Sequence, residues 1–105
     1  MRVEITFGLQ YDRDNRTIDS FDRDKALFTI RRAAVADFGG YTLIDHVGGW
    51  INPAGQLVEE VSATIRLDFV NDLTKAERYA KYIKRLLNQS AVVLATYATE
   101  SRMID

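Results

Sequence analysis

Four stretches of the chain alternate between hydrophobic and polar residues, or are continuously apolar, over the length of a β-strand. They cover residues 3–10, 41–47, 57–69 and 91–97. In the first stretch Val3, Ile5 and Phe7 fall on one side, whereas Glu4 and Thr6 fall on the other. Because successive side chains of a strand point to opposite faces, this pattern predicts a sheet with one buried face.

Two further stretches repeat their apolar residues at the 3.6-residue period of a helix. The first helix is predicted to begin at a cap on Ser20 or Asp22, to run for about fifteen residues and to end at Gly39-Gly40. The second is predicted to begin at Thr74-Lys75-Ala76-Glu77, which matches a capping box. Its apolar positions are Ala76, Tyr79, Ala80, Ile83, Leu86 and Leu87.

The segment between these helices predicts a β-hairpin. Asn52-Pro53-Ala54-Gly55 favours a turn, since proline presets the φ angle of the second position and glycine tolerates a left-handed fourth position. Gly48-Gly49 stands just before Trp50, the only tryptophan, and glycine inside a strand often marks a bulge. Such a bulge would aim Trp50 at a ligand or a neighbouring subunit. In the alternative interpretation, Trp50 closes the end of the core.

The resulting order of elements, β-α-β-β-α-β, predicts an α+β fold of the ferredoxin-like type. Its four-stranded antiparallel sheet has the first and third strands in the centre and both helices on one face. Residues 1–105 are assigned to a single domain of this kind. The apolar residues expected on its open face predict a homo-oligomer, either a dimer or a trimer. Strand two is an exposed edge that would also favour pairing between subunits, unless the glycine pair bends it away.

Composition narrows the classes of function. Fourteen Lys and Arg against fifteen Asp and Glu give a net charge of −1, which argues against a nucleic-acid-binding protein. The chain has no cysteine, which excludes disulfides, thiolate nucleophiles and zinc–sulfur sites. Because no apolar run reaches the roughly 18 residues of a membrane span and no signal peptide is recognisable, a cytoplasmic protein is expected. Neither a metal nor a cofactor is expected.

Polar residues at two places are candidates for a binding site. Glu60 and Arg66 share the open face of strand three, although cross-strand charge pairs also explain this row. Asn88 and Gln89 precede the last strand, where amides either fix the turn or offer hydrogen bonds to a purine or a carboxylate. His46, the only histidine, is a candidate general base or an ordinary surface histidine. No residue is assigned as catalytic.

Short motifs of the hairpin resemble those of small proteins from phages and bacterial mobile elements. The motifs are Gly40-x-Thr42, Gly48-x-Trp50, Gly55 and Val58-x-Glu60, together with the Asn-Gln turn within residues 87–92. The resemblance covers most of the chain and implies a phage or prophage origin, hence a host cytoplasm, but no specific activity. The layout is also similar to that of the ferredoxin-like trimers of the PII and CutA type, by analogy of fold.

The sequence therefore favours a non-enzymatic, self-assembling binding protein of the phage type. It is expected to hold a small polar or nucleotide-like ligand, or to block a host protein. The predicted ligand-binding residues are Trp50, Glu60, Arg66, Asn88 and Gln89. Two alternatives stay open: a small enzyme that uses His46 or Glu60 as its general base, and a purely structural oligomer.

Overall fold

The computed structural model describes residues 1–105 and contains four strands and two helices. They are β1 (Arg2–Gly8), α1 (Ser20–Phe38), β2 (Thr42–Ile51), β3 (Leu57–Leu67), α2 (Leu73–Leu86) and β4 (Val93–Tyr97). The strands form one antiparallel sheet in the order β2-β3-β1-β4, so that β1 and β3 are central and β2 and β4 are the edges. The predicted α+β ferredoxin-like arrangement is confirmed.

The hydrophobic core lies between the two helices and one face of the sheet. Val3, Ile5 and Ile65 of the central strands are fully buried, as are Ile30 of α1 and Ile83 of α2. Odd-numbered residues of β1, β2 and β3 point towards the helices, and even-numbered residues point away from them. We call these two sides of the sheet the helix-side face and the open face.

Helix α1 begins at a cap other than the predicted one. Asp19, not Ser20 or Asp22, is the N-cap, and its carboxylate accepts a hydrogen bond from the Asp22 backbone N–H at 3.4 Å. A carboxylate at this position also interacts favourably with the helix dipole. The predicted end of the helix is confirmed, since Gly39 adopts a left-handed φ of 83° and donates its N–H to the Val35 carbonyl.

Helix α2 also begins earlier than the sequence predicts. Asp72 is the N-cap and accepts a hydrogen bond from the Lys75 backbone N–H at 3.3 Å. Because the helix starts at Leu73, Thr74 already lies inside its first turn, and the predicted capping box is wrong. Neither helix has the length and apolar character that crossing a membrane requires.

Strand β2 is longer than predicted, and it has no bulge. It runs from Thr42 to Ile51, and its pairing with β3 is continuous through Gly48, opposite Glu60, and Gly49, opposite Glu59. The predicted bulge at this glycine pair is therefore wrong. Glycine permits a bulge but does not require one, and here the hairpin turn sets a register without an extra residue.

The turn that joins β2 and β3 forms as predicted. The Asn52 side-chain oxygen accepts hydrogen bonds from the backbone N–H groups of Ala54 and Gln56, at 3.0 and 2.9 Å. Gly55 has a φ of +78°, a left-handed conformation that favours glycine, and donates its N–H to the Asn52 carbonyl. The side chain of Asn52 thus closes the turn and holds the register of the hairpin.

The tip of the hairpin extends beyond the part of the sheet that the helices cover. Four apolar side chains on its helix-side face are exposed: Val47, Ile51, Leu57 and Val61. Val61 is exposed although it is on the same face as the buried Ala63 and Ile65, because β3 extends past the helices at this end. This uncovered apolar surface is the hairpin tip patch.

The open face carries a chain of hydrogen bonds across three strands. The Thr64 hydroxyl lies 2.7 Å from the Thr6 hydroxyl and 2.8 Å from His46 Nε2. Thr64 is only 8% exposed although no helix covers it. The polar side chains of the open face therefore shield one another from solvent at Thr64.

Candidate functional site

The side chains of Glu60 and Gln89 meet above Gly8, the last residue of β1. A Cβ atom added to Gly8 would lie 2.9 Å from Gln89 Oε1 and 2.9 and 3.0 Å from the two carboxylate oxygens of Glu60. Only the absence of a side chain at this position lets three oxygen atoms converge on the backbone. We call Gly8, Glu60 and Gln89 the Gly8 cluster.

Gln89 is held in place by the backbone and presents an acceptor. Its side-chain Nε2 donates to the Tyr11 carbonyl at 2.8 Å and to the Leu87 carbonyl at 3.1 Å, and the residue is buried. Both amide hydrogens are therefore engaged, which leaves Oε1 over Gly8 to accept a hydrogen bond. Gln89 both fixes the turn before β4 and contributes an oxygen to the cluster.

Glu60 is a partly buried carboxylate without a cationic partner. Burial raises its pKa above the ordinary value, and a hydrogen bond from the Tyr11 backbone N–H offsets part of this effect. The salt bridges of the chain join other residues, namely Arg2 and Arg66 with Asp68, and Arg23 with Asp24. Since burying an unpaired charge costs free energy, Glu60 is the residue of this face best prepared to receive a donor or a cation.

Two glycines, Gly8 and Gly48, leave the open face beside the cluster without side chains of their own, and we call this surface the Gly48 floor. Gly8 lies opposite Ser62 on β3, and Gly48 lies opposite Glu60 on β2. A Cβ atom at Gly48 would lie 3.0 Å from the Ser62 hydroxyl oxygen. Trp50, which is 48% exposed, is the next open-face residue along β2 and borders the floor at its outer end. The open-face surface around Gly8 and Gly48 thus has a carboxylate and an amide oxygen on one side and an indole on another, and we call this surface the depression.

The structure brings three of the five predicted ligand-binding residues to one end of the open face: Trp50, Glu60 and Gln89. Arg66 lies six residues from Glu60 along β3, about 20 Å away at the rise of a strand. Its guanidinium contacts Asp68 at 3.4 Å and Thr42 at 3.4 Å. Arg66 therefore belongs to an ion-pair cluster at the other end of the face.

Asn88 points away from the depression. Its Nδ2 donates a long hydrogen bond of 3.5 Å to the Asp12 carboxylate, in the loop before α1. Its backbone φ of 48° is left-handed, a conformation that asparagine tolerates better than most residues. Asn88 thus turns the chain between α2 and Gln89.

Sequence reasoning missed the residues that shape the floor of the site. Gly8 and Tyr11 were not singled out, although each contacts Glu60 or Gln89. The only local indication was a glycine in the otherwise regular strand β1, since glycine there often marks a close approach of another group.

His46 lies on the same face as the cluster but is engaged elsewhere. Its Nε2 is hydrogen-bonded to Thr64, and its neighbour Asp45 points to the helix-side face. No group of three or more His, Asp or Glu side chains is placed to hold a metal ion. The chemistry that the depression offers by itself is therefore acceptance of hydrogen bonds and attraction of positive charge by Glu60.

Comparison with known proteins identifies relatives in fold. No family model matches the chain, and no curated protein matches it. A phage SAM lyase in complex with S-methyl-5′-thioadenosine superposes with a TM-score of 0.63 and 22% identity, over 89% of this chain and 76% of the other. The apo state of a phage SAM lyase gives 0.56 and 21%, over 89% and 75%.

A variant of CutA1 from Pyrococcus horikoshii OT3 also superposes, with a TM-score of 0.56 and 16% identity over 95% of this chain and 85% of the other. At these identities the likeness concerns the fold alone. The expected resemblance to phage proteins and to the CutA type of ferredoxin-like protein is confirmed at that level.

Proposed function

We propose that the chain binds a small nucleoside-like ligand that carries hydrogen-bond donors or a positive charge, at the Gly8 cluster and Trp50. The observation that carries this proposal is the unpaired, partly buried carboxylate of Glu60 beside the free Oε1 of Gln89. S-methyl-5′-thioadenosine and S-adenosylmethionine are two compounds of this ligand class.

The cluster selects its ligand by offering acceptors only. Three oxygen atoms converge above Gly8, and the amide hydrogens of Gln89 are bound to backbone carbonyls. An anionic group would be repelled here, whereas ribose hydroxyls, an ammonium or a sulfonium would satisfy or neutralise these oxygens. Because the Glu60 carboxylate is partly removed from water, a hydrogen bond or charge supplied by the ligand contributes more binding free energy there than at a fully solvated carboxylate.

Trp50 supplies a flat apolar surface next to the acceptors. Its ring is half-exposed and stands beside Gly48, which has no side chain to block approach. Stacking of a base on an aromatic ring contributes about 1–3 kcal/mol. A purine on Trp50 and a ribose or sulfonium near Glu60 would use both parts of the depression.

The structural neighbours support the choice of ligand class. A phage protein of the same fold was solved with S-methyl-5′-thioadenosine, a molecule with an adenine, two ribose hydroxyls and a thioether. Because identity with that protein is 22%, the likeness guides the choice of compounds to test and transfers no residue roles.

Isothermal titration with S-methyl-5′-thioadenosine and with S-adenosylmethionine tests the proposal. Glu60→Gln should weaken binding about ten- to a hundredfold, since a hydrogen bond to a charged group contributes about 1.5–3 kcal/mol. Glu59→Gln is the matched control, because Glu59 is the adjacent residue, exposed on the opposite face of the same strand. Equal affinities of wild type and Glu60→Gln would contradict the assignment.

A lyase activity on S-adenosylmethionine is the second candidate function. It is favoured by the raised pKa of Glu60, because a carboxyl group with a raised pKa is suited to general base chemistry near neutral pH. In this reaction the aminobutyrate chain would lose a proton to Glu60 while its C–S bond breaks with the electron pair going to sulfur. Incubation of the protein with S-adenosylmethionine, followed by chromatography, should then show S-methyl-5′-thioadenosine accumulating together with an equimolar product of the aminobutyrate chain. Binding without turnover would leave the protein a binder rather than an enzyme.

We also propose that the protein is a homo-oligomer, either a dimer or a trimer. Apolar side chains are exposed on the open face at Ile44, Val93 and Tyr97, and the hairpin tip patch adds a second apolar surface. Exposed apolar area at both edges of the sheet is typical of surfaces that a partner covers. Light scattering at high micromolar concentration should report more than one copy, and a monomer there would overturn this part of the proposal.

A further inference from the structure

The edge of β2 is free and regular over ten residues. Its pairing with β3 has no bulge at Gly48-Gly49, so the strand continues without interruption through the glycine pair. The edge contains neither proline nor lysine, two residues that commonly block pairing of exposed edges. A continuous edge of this length, with Asp45 as its only carboxylate, favours addition of another strand.

The sequence of β2 is complementary to itself in one antiparallel register. When two copies are aligned about Val47, Val47 meets its own counterpart, Ile44 meets the partner's Trp50, and Leu43 meets the partner's Ile51. The remaining positions oppose a larger side chain to a glycine, because His46 meets the partner's Gly48 and Asp45 meets the partner's Gly49. No two charged residues stand opposite each other in this register.

The register also gives apolar neighbours to the two β2 residues of the hairpin tip patch, Val47 and Ile51. Val47 and Ile51 are 67% and 63% exposed because no helix of their own chain covers them. In the antiparallel arrangement, each tip lies beside the core-covered half of the partner's β2, where Leu43 packs against the core. The two β2 residues of the patch, Val47 and Ile51, would thus be paired with apolar residues of the other chain, whereas Leu57 and Val61 lie one strand further from the partner.

We infer that two copies of the chain pair through antiparallel β2 strands about Val47, so that the partner's His46 closes the open side of the depression at Glu60. This inference rests on the proposed function for the role of the site, but not for the pairing itself. The self-complementary register and the length of the free edge identify the partner as a second copy of this chain.

The pairing places the partner's His46 in the same cross-strand row as Glu60. Glu60 is opposite Gly48, and the partner's His46 would be opposite Gly48 on the other side. Two strand spacings separate their Cα atoms by about 10 Å, and Gly48, which lies between them, has no side chain of its own. In the structure each His46 imidazole is hydrogen-bonded to Thr64 of its own chain, so the partner's ring would exchange that bond for one to the ligand. A ligand on the Gly48 floor would then lie between this imidazole and Glu60, with Trp50 at one end.

A cysteine cross-link tests the register. The chain has no cysteine, so a single introduced thiol has a clean background. Directly opposed residues of an antiparallel pair have Cα atoms about 4.5–5.5 Å apart, within disulfide range. Val47→Cys should therefore form a covalent dimer on mild oxidation. Asp45→Cys is the matched control on the same face, since its counterparts would be about 13 Å apart.

Mixing of subunits tests the contribution of His46 across the interface. Glu60→Gln and His46→Ala are each expected to weaken S-methyl-5′-thioadenosine binding when alone. In a mixed dimer, one site combines the intact Glu60 of one chain with the intact His46 of the other. Random mixing should thus restore about a quarter of the wild-type sites, because half of the dimers are mixed and each has one complete site.

The outcomes separate the pairing from the ligand. The pairing would be overturned if the protein were a trimer in which Val47→Cys does not cross-link. It would also be overturned if Asp45→Cys cross-linked as readily as Val47→Cys, whether or not ligand binds. Failure of mixing to restore sites would show that His46 does not act across the interface. A cross-linked dimer that binds neither compound would retain the pairing and refute the proposed function.

Discussion

Replacement of Gly8 by alanine should remove ligand binding while leaving most of the fold intact. The added Cβ would lie 2.9–3.0 Å from Gln89 Oε1 and both carboxylate oxygens of Glu60. These atoms are ends of flexible side chains, so the side chains should rotate away while the backbone stays in place. Gly8 has no left-handed φ, and alanine therefore fits its backbone conformation.

The expected change in stability follows from the hydrogen bonds of Gln89. If its side chain moves, the two bonds from Nε2 to the Tyr11 and Leu87 carbonyls are weakened or lost. At about 0.5–1.5 kcal/mol for each bond, the loss is at most about 1–3 kcal/mol. The lower conformational entropy of the unfolded alanine chain returns about 0.4–1 kcal/mol. The net cost in free energy of unfolding is therefore about 0–2.5 kcal/mol.

Urea unfolding and titration with S-methyl-5′-thioadenosine measure the two effects separately. Gly40→Ala is the matched control, because an added Cβ meets nothing within 4 Å and the backbone φ is ordinary there. The control should retain full affinity, whereas Gly8→Ala should lose at least about tenfold, the loss of one hydrogen bond of about 1.4 kcal/mol. Unchanged affinity of Gly8→Ala would refute the view that the Gly8 cluster is the ligand site.

Three further substitutions test the fold and its electrostatics. Ile65→Ala should lower the free energy of unfolding by about 2–5 kcal/mol in urea denaturation, because Ile65 is fully buried in a central strand; a loss below 1 kcal/mol would mean that the helix-side face is wrongly assigned. Thr64→Val should cost about 1–2 kcal/mol and disturb the His46 ring in NMR spectra, since it removes the hydroxyl shared by Thr6 and His46. Glu60→Gln should be more stable than wild type at pH 7. Because the pKa of Glu60 is raised in the folded state, the protonated carboxyl contributes fully to the free energy of unfolding below the ordinary pKa of 4.5. This contribution is lost as the pH rises through the folded-state pKa. The advantage of the variant should vanish below pH 4.5, and the opposite trend would contradict the assigned direction of the shift.

The sequence alone determined the order of the elements and the faces of the central strands. Both depend on local periodicity, since the alternation at Val3, Ile5 and Ile65 follows directly from strand geometry. The hairpin turn was equally local, because the φ preference of Gly55 and the side chain of Asn52 act within five residues. For the same reason the end of α1 at Gly39 was predictable.

Tertiary structure decided which polar residues meet. Glu60 and Gln89 are far apart in the chain, and they converge only because β3 pairs with β1 while the Gln89 amide is tied to the Tyr11 carbonyl. The same dependence on pairing explains why Thr64 is buried on a face without helices, and why Gly48-Gly49 stays in register. Local propensity sets what a residue can do on one strand. Which neighbours it finds is set by strand register and loop contacts, and these are properties of the folded chain as a whole.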